Sequence, residues 1–166
     1  SLTRRPPPVA YAVLHAHSDH SLLDGVASPE ALVERAAELG LTALALTDHD
    51  GLYGAVRFAQ AAREMNIKPI LGAEMTLDDH SHLTLLATNG EGYANLCRLV
   101  TRARRGQAKG LSRLARRDLA DHSNGLIALS GCRQGAIPQL LAAGQWDKAR
   151  QTAWGHARLF GPDRFF

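Results

Sequence analysis

The chain has 166 residues, 45% of them apolar and 21% charged, with a formal net charge of +3 and a pI near 9.2. That size allows one domain with a substantial core, and no apolar run approaches the roughly 20 residues of a membrane-spanning helix. Ser1–Pro8 is basic and proline-containing without an apolar stretch, which is not the pattern of a secretion signal. The two cysteines, Cys97 and Cys132, lie far apart, which argues against a disulfide framework and for a cytoplasmic setting.

In chain order, residues 1–10 read as a disordered or extended segment and Ala12–His15 as a strand. Ser28 is placed as an N-cap with Pro29 at the first helical position, Leu32, Val33, Ala36 and Leu39 as the apolar stripe, and Gly40 as the C-terminal stop. Leu41–Thr47, nearly all apolar, reads as a strand covered on both faces. A helix over Leu52–Met65 and strands over Lys68–Thr76 and His82–Ala87 follow. Gly92–Arg105 reads as a helix, then comes a basic connection around Gly106–Gly110, a short helical segment closing at Leu119 and a strand over Leu126–Leu129. Helices over Ala136–Ala143 and Trp146–Phe160 complete the pattern, and Arg164–Phe166 begins to resemble a further strand, so the chain is expected to be a fragment. Repeated β-α units predict an α/β fold with a parallel sheet or barrel. Seven basic residues between Arg102 and Arg117 read first as a solvated helix and loop, and second as a phosphate-contacting patch.

The potential metal ligands fall at strand ends. His15 and His17 follow the first strand, two apart and therefore on one side of extended backbone. Asp48, His49 and Asp50 end the second strand and Glu74 lies near the end of the third. His80 and His82 open the fourth, and Cys132 follows the fifth. In α/β sheets and barrels, sites gather at the carboxyl ends of strands. Each piece alone has a bland reading: a surface His-x-His, turn-forming aspartates, a helix-terminus Glu or a buried Cys. Their common position favours a metal site. Imidazole, carboxylate and thiolate suit Zn²⁺, with Mn²⁺ or Fe²⁺ alternatives at harder positions.

Leu14-His15-Ala16-His17-Ser18 with Leu23-Asp24-Gly25, Leu46-Thr47-Asp48-His49-Asp50 and Ile70-Leu71-Gly72-Ala73-Glu74 resemble successive motifs of the PHP (polymerase and histidinol phosphatase) domains. His82–Ala87, Glu91-Gly92-Tyr93-Ala94-Asn95-Leu96, Gly125–Cys132 and Phe160–Phe166 are similar to the PHP domains of C-family bacterial DNA polymerases in particular. The error-prone paralogue is nearer than the replicase. The resemblance covers residues 11–166 and implies the N-terminal portion of a distorted (β/α)7 barrel, incomplete at its C-terminus, that binds up to three divalent metals.

Carried over by resemblance, His15, His17 and Glu74 serve the first ion, Glu74, His82 and Cys132 the second, and Asp24 and His49 the third. Asp48 is a candidate for orienting ligand histidines, while Asp50, His20 and His80 read mainly as turn or loop residues. The family's final Asp-x-His motif is absent from the chain. The implied activity is a multinuclear metal-dependent phosphoesterase acting as a 3′–5′ proofreading exonuclease on single-stranded DNA ends. Its implied partners are the remaining polymerase domains and replication or proofreading subunits, with no membrane. Nucleotidyl transfer would reside in other parts of such a polymerase. The alternatives are a free-standing small-molecule phosphatase and a metal-stabilised scaffold domain.

Overall fold

The computed structural model describes residues 9–166. The first eight residues of the segment expected to be disordered or extended lie outside the described residues, and Val9 and Ala10 belong to the first strand. The elements run β1 (Val9–Val13), α1 (Pro29–Glu38), β2 (Leu41–Leu46), α2 (Ala55–Glu64), β3 (Lys68–Thr76), β4 (His82–Ala87), α3 (Gly90–Arg104), α4 (Arg116–Asp121), β5 (Leu126–Leu129), α5 (Ala136–Ala142) and α6 (Trp146–Phe160). The five strands form one curled sheet in the order β1-β2-β3-β4-β5, part of a barrel wall.

The sheet is mixed, which corrects the expectation of a parallel one. β1, β2 and β3 are parallel, joined by the crossover helices α1 and α2, but β4 is antiparallel to both β3 and β5. Only residues 77–81 separate β3 from β4, and a parallel crossover needs about a dozen residues. The reversal matters for the site. The start of β4 now lies beside the ends of β3 and β5, so His82 at the head of a strand reaches the same rim as residues at the tails of its neighbours. Arg164 to Phe166 runs beside β5, with the Ala128 N–H donating to the Arg164 carbonyl at 2.8 Å, in line with the strand expected there.

Local chemistry sets the helix ends. The Ser28 hydroxyl accepts from the Ala31 N–H at 3.2 Å, Pro29 opens α1, and Gly40 follows in left-handed backbone at φ 74°. α2 starts three residues later than expected because residues 51–54 are spent in a turn ahead of it. Two cores flank the sheet. One packs α1 and α2 on β2 through Val33, Ala36, Leu44, Phe58 and Ala62. The other packs α3 and α6 on β3, β4 and β5 through Met75, Leu85, Leu96, Leu99 and Phe160.

The Glu91–Leu96 run proves to be an architectural joint. Asn89 caps α3 by accepting from the Gly92 N–H at 2.8 Å, and Asn95 Nδ2 donates to the Asn124 carbonyl at 2.9 Å. Gly92 lies so close to Gly125 that an added Cβ would sit 1.9 Å from the Gly125 carbonyl oxygen, whereas one on Gly90 would meet nothing within 4 Å. Gly92→Ala is therefore expected to destabilise the protein by about 1–3 kcal/mol through forced displacement of α3. Gly90→Ala should be neutral or stabilising by up to about 1 kcal/mol. Urea titration of both variants checks the pair, and equal midpoints would remove the joint.

Candidate metal centre

The site is assembled by extending β1, β2 and β3 past their regular ends. Beyond β1, the Ala16 N–H donates to Thr47 Oγ1 at 3.0 Å and the Thr47 N–H to the Ala16 carbonyl at 2.8 Å. This holds residues 15–17 extended, with His15 and His17 on a common side. Beyond β2, the Glu74 N–H donates to the Asp48 carbonyl and the Asp50 N–H to the Glu74 carbonyl, at 3.1 and 2.9 Å, setting His49 beside Glu74. The His82 N–H donates to the Gln134 carbonyl at 3.0 Å. A tight turn through Gly131, at φ 89°, and Gly135 swings Cys132 toward the rim.

All of these side chains meet at Glu74, which is 1% exposed. One of its carboxylate oxygens contacts His15 Nε2 and lies 3.4 Å from His17 Nε2. The other contacts His82 Nδ1 and receives the Cys132 thiol at 3.5 Å, with the sulfur 3.9 Å from His82 Nδ1. The Nε2 atoms of His15 and His17 are 3.1 Å apart. His49 stacks on His17 with ring centroids 4.5 Å apart, stands 5.3 Å from the His82 ring, and places Nε2 3.0 Å from Asp24 Oδ2. One donor atom each from His15, His17 and Glu74 lie within 4.8 Å of one another, as do those of His49, Glu74 and His82. Of the residues expected as ligands, His15, His17, His49, Glu74 and His82 share these two groups, Cys132 adjoins Glu74 and His82, and Asp24 reaches His49. His49 differs from expectation in also lying within reach of Glu74 and His82, in addition to its contact with Asp24.

The electrostatics follow from one buried carboxylate among imidazoles. Burial disfavours the Glu74 anion, but hydrogen bonds from His15, His17 and His82 outweigh it and hold its pKa well below the usual range. In turn, Glu74 raises the pKa of His17 against the opposing effect of burial. Burial pushes the Cys132 thiol up, a hydrogen bond from the Gln134 N–H opposes this, and the Glu74 charge adds to the rise.

The Asp48 carboxylate is bonded by Ser18 and Ser21 rather than by a histidine of the cluster. It is 2% exposed and accepts from the Ser18 N–H, the Ser18 hydroxyl and the Ser21 hydroxyl, at 2.7, 2.7 and 2.6 Å. Its influence travels through Ser21, whose Oγ accepts from the His49 N–H at 3.1 Å and lies 3.3 Å from His17 Nδ1. The single Ser21 proton goes to Asp48, which can only accept. The His17 contact therefore requires Nδ1–H as donor, leaving the Nε2 lone pair of the neutral ring facing Glu74. Gly25 closes the same loop, since a Cβ there would overlap the Ser18 carbonyl oxygen at 1.7 Å.

Asp50 is a turn residue, as expected: at φ 49°, its carboxylate accepts from the Thr76 N–H and hydroxyl at 2.8 and 2.7 Å. His80 is exposed in the β3–β4 turn, outside the cluster. His20 packs beside Tyr53 and Gly54, with its Nε2 buried and without a hydrogen-bond partner. Ser18 and Ser21 were missed by sequence reasoning, because a serine in a loop reads as turn chemistry until its tertiary partner is known.

Residues 14–166 match the family model described as PHP domain. The chain belongs to the PHP family. It is 45% identical over 95% of its length to the error-prone DNA polymerase of Symbiobacterium thermophilum, and 41% identical over 80% of its length to the DNA polymerase III alpha subunit of Buchnera aphidicola. It spans 16% and 12%, respectively, of those two relatives. A two-domain protein of Bacteroides vulgatus containing a PHP-like metal-dependent phosphoesterase shares the fold at a TM-score of 0.54 and 16% identity, over 82% of this chain and 42% of that one. The chain is thus a PHP domain similar to the PHP regions of bacterial polymerases, and its His/Glu cluster fits a divalent-metal centre. No helix among the described residues is long and apolar enough to cross a membrane.

Proposed function

We propose that this PHP domain is a multinuclear divalent-metal phosphoesterase that removes nucleotides from single-stranded DNA 3′ ends, a proofreading 3′–5′ exonuclease within a DNA polymerase chain. The observation that carries the reading is the convergence of His15, His17, His82 and Cys132 on the buried Glu74, with His49 and Asp24 adjoining. The donor set of imidazoles, carboxylates and one thiol fits Zn²⁺, with Mn²⁺ or Fe²⁺ at the oxygen-richer end. His15, His17 and Glu74 would hold the first ion, Glu74, His82 and Cys132 the second, and Asp24 with His49 the third. Ions at such a centre supply Lewis-acid activation of water and neutralise charge on the phosphoryl oxygens.

The chain's own residues do the positioning. The Asp48–Ser21 relay turns the bare Nε2 of His17 inward, and outer partners of this kind orient ligands and sharpen their basicity. Asp24 holds His49 from the solvent side. Residues 11–166 are proposed to be the N-terminal portion of a larger barrel. The apolar concave face left open between Leu14, Ile70, Leu86, Ile127, Leu129 and Phe166 supports this reading. Nucleotidyl transfer, contacts with other polymerase domains and contacts with replication or proofreading subunits belong to the same proposal.

The test joins elemental analysis of protein purified without chelator to a 3′–5′ exonuclease assay on a 5′-labelled oligonucleotide. Two or more equivalents of Zn or Mn, with chelator-sensitive shortening from the 3′ end, is the expected result. Metal without shortening points to a scaffold, and absence of metal overturns the centre.

A pH dependence follows from His17. Its raised pKa means that the metal-free site keeps a proton on that ring above the ordinary value of 6.5, and an ion can bind only the neutral ring. Metal affinity should therefore rise with pH between about 6 and 8. Competition titrations with a chromogenic chelator check this, and a flat profile would remove the coupling.

A further inference from the structure

We infer that the exposed face of α3 and α4, together with Tyr53, is a binding track for a nucleic-acid strand that leads to the metal-centre loop. It rests on the hydrolytic reading only for the fate of the bound strand, not for its binding.

Arg98, Arg102 and Arg105 recur at spacings of four and three along α3 and its C-cap, so they share one helix face. Their backbone positions span about 10 Å along the axis, long enough to face more than one phosphate of a single strand. Arg117 of α4 closes the other side, forming an open cleft of about 530 Å³. Its one acidic lining residue, Asp118, is engaged by Arg102 at 2.9 Å. Arg98 donates only to the neutral Asn95 Oδ1, at 2.8 Å. Among the described residues, Arg105 and Arg117 have neither an ion pair nor a side-chain hydrogen bond. The cleft therefore carries surplus positive charge in guanidinium form, suited to phosphodiester oxygens.

The cleft does not stand alone. Thr101 and Arg105 also line an adjoining hollow bounded by Gly51, Tyr53 and Arg104. Arg104 donates to the Asp50 carbonyl at 2.8 and 3.0 Å and lies 5.3 Å from the Tyr53 ring centroid. These contacts fix the loop that begins with the ligand His49 and hold Tyr53, 63% exposed, at the junction of hollow and loop. Cations that follow a backbone beside an exposed aromatic ring are the elements of sequence-tolerant single-strand binding. The cleft arginines lie outside the cluster of proposed ligands, where a small phosphomonoester held by the cluster would have no need of them. A strand would engage both.

The test is fluorescence anisotropy of a labelled 12-nucleotide single strand on the 166-residue chain across KCl concentrations, with metal content and thermal midpoint measured in parallel. For R105Q/R117Q we expect about tenfold weaker binding at low salt and a salt slope shallower by about 1.4, the counterion release of two phosphate contacts. Tyr53→Ala should weaken binding about tenfold through lost stacking. Both variants should fold and retain metal. Unchanged affinity in the folded arginine variant overturns the track while leaving the metal centre standing. Loss of binding to poly-glutamate and oligonucleotide alike, with Tyr53→Ala silent, assigns the face to an acidic protein and also overturns it. Strand binding that depends on Arg105 and Arg117 in a chain that holds no metal keeps the track and removes the hydrolytic reading.

Discussion

Glu74→Gln is expected to lower metal affinity by more than about 100-fold and abolish any hydrolytic activity, because one carboxylate is shared by the proposed first and second sites. Both of its oxygens are engaged, one by His15 and His17 and the other by His82 and Cys132. An amide presents one weaker acceptor and one donor where two anionic oxygens stood, so no rotation of the Gln side chain restores both halves. Altering an orienting partner alone typically costs 10–100-fold in affinity, and loss of a shared ligand exceeds that. The folded state should survive, since the variant also removes a buried charge that must otherwise be compensated. The measurements are metal stoichiometry and thermal midpoint on the same preparation. A folded variant with wild-type metal content would show that Glu74 is not the bridge between sites.

Asp48→Ala tests the layer behind the ligands. The carboxylate is buried and accepts three hydrogen bonds. Its loss strands the Ser18 N–H and two hydroxyls in a region closed to water. Unsatisfied buried donors cost about 1–3 kcal/mol each, and the two hydroxyls can rotate to weaker partners, so a loss of about 3 kcal/mol is expected. The second effect is specific. With Asp48 gone, the Ser21 proton is free to point at His17 Nδ1, and the ring can adopt the tautomer that carries its proton inward. Metal affinity should fall about 10–100-fold. Ser21→Ala separates the two effects, because it breaks the link to His17 while leaving Asp48 its two bonds from Ser18. A smaller stability loss with the same drop in affinity is expected. If Ser21→Ala binds metal as the unaltered chain does, the relay has no role in orienting His17.

Much of the fold was legible because its signals are local. β3, β4, β5 and α6 fall at the residues expected, and α1 begins at its expected Pro29. Alternating or continuous apolar runs and a Ser-Pro cap act within a few residues, and nothing distant overrides them. α2 was placed three residues early because periodicity extends through Leu52, while the turn at 51–54 depends on Gly54 nestling between His20 and Pro29. Of the site, His15, His17, His49, Glu74, His82 and Cys132 were legible as potential metal ligands at strand ends and Asp24 only through the family resemblance; the structure gathers the first six into one cluster at Glu74 and sets Asp24 against His49. Asp48 was legible as a supporting residue but not in its manner of support, which runs through two serines that carry no signal of their own.

By itself, the sequence determined where most strands and helices lie, which side chains are candidates to hold a metal, and the family to which the chain belongs, since residue identity, periodicity and motif spacing are all written along one dimension. Only the tertiary structure decided that β4 runs backwards, because strand direction depends on whether the 77–81 connection can reach across the sheet. That reversal lets a histidine at the start of one strand share a carboxylate with a histidine at the end of another. Tertiary structure also decided that His17 presents Nε2 rather than Nδ1 to the centre. That choice is fixed by a hydroxyl whose proton is claimed by a carboxylate 27 residues further along the chain.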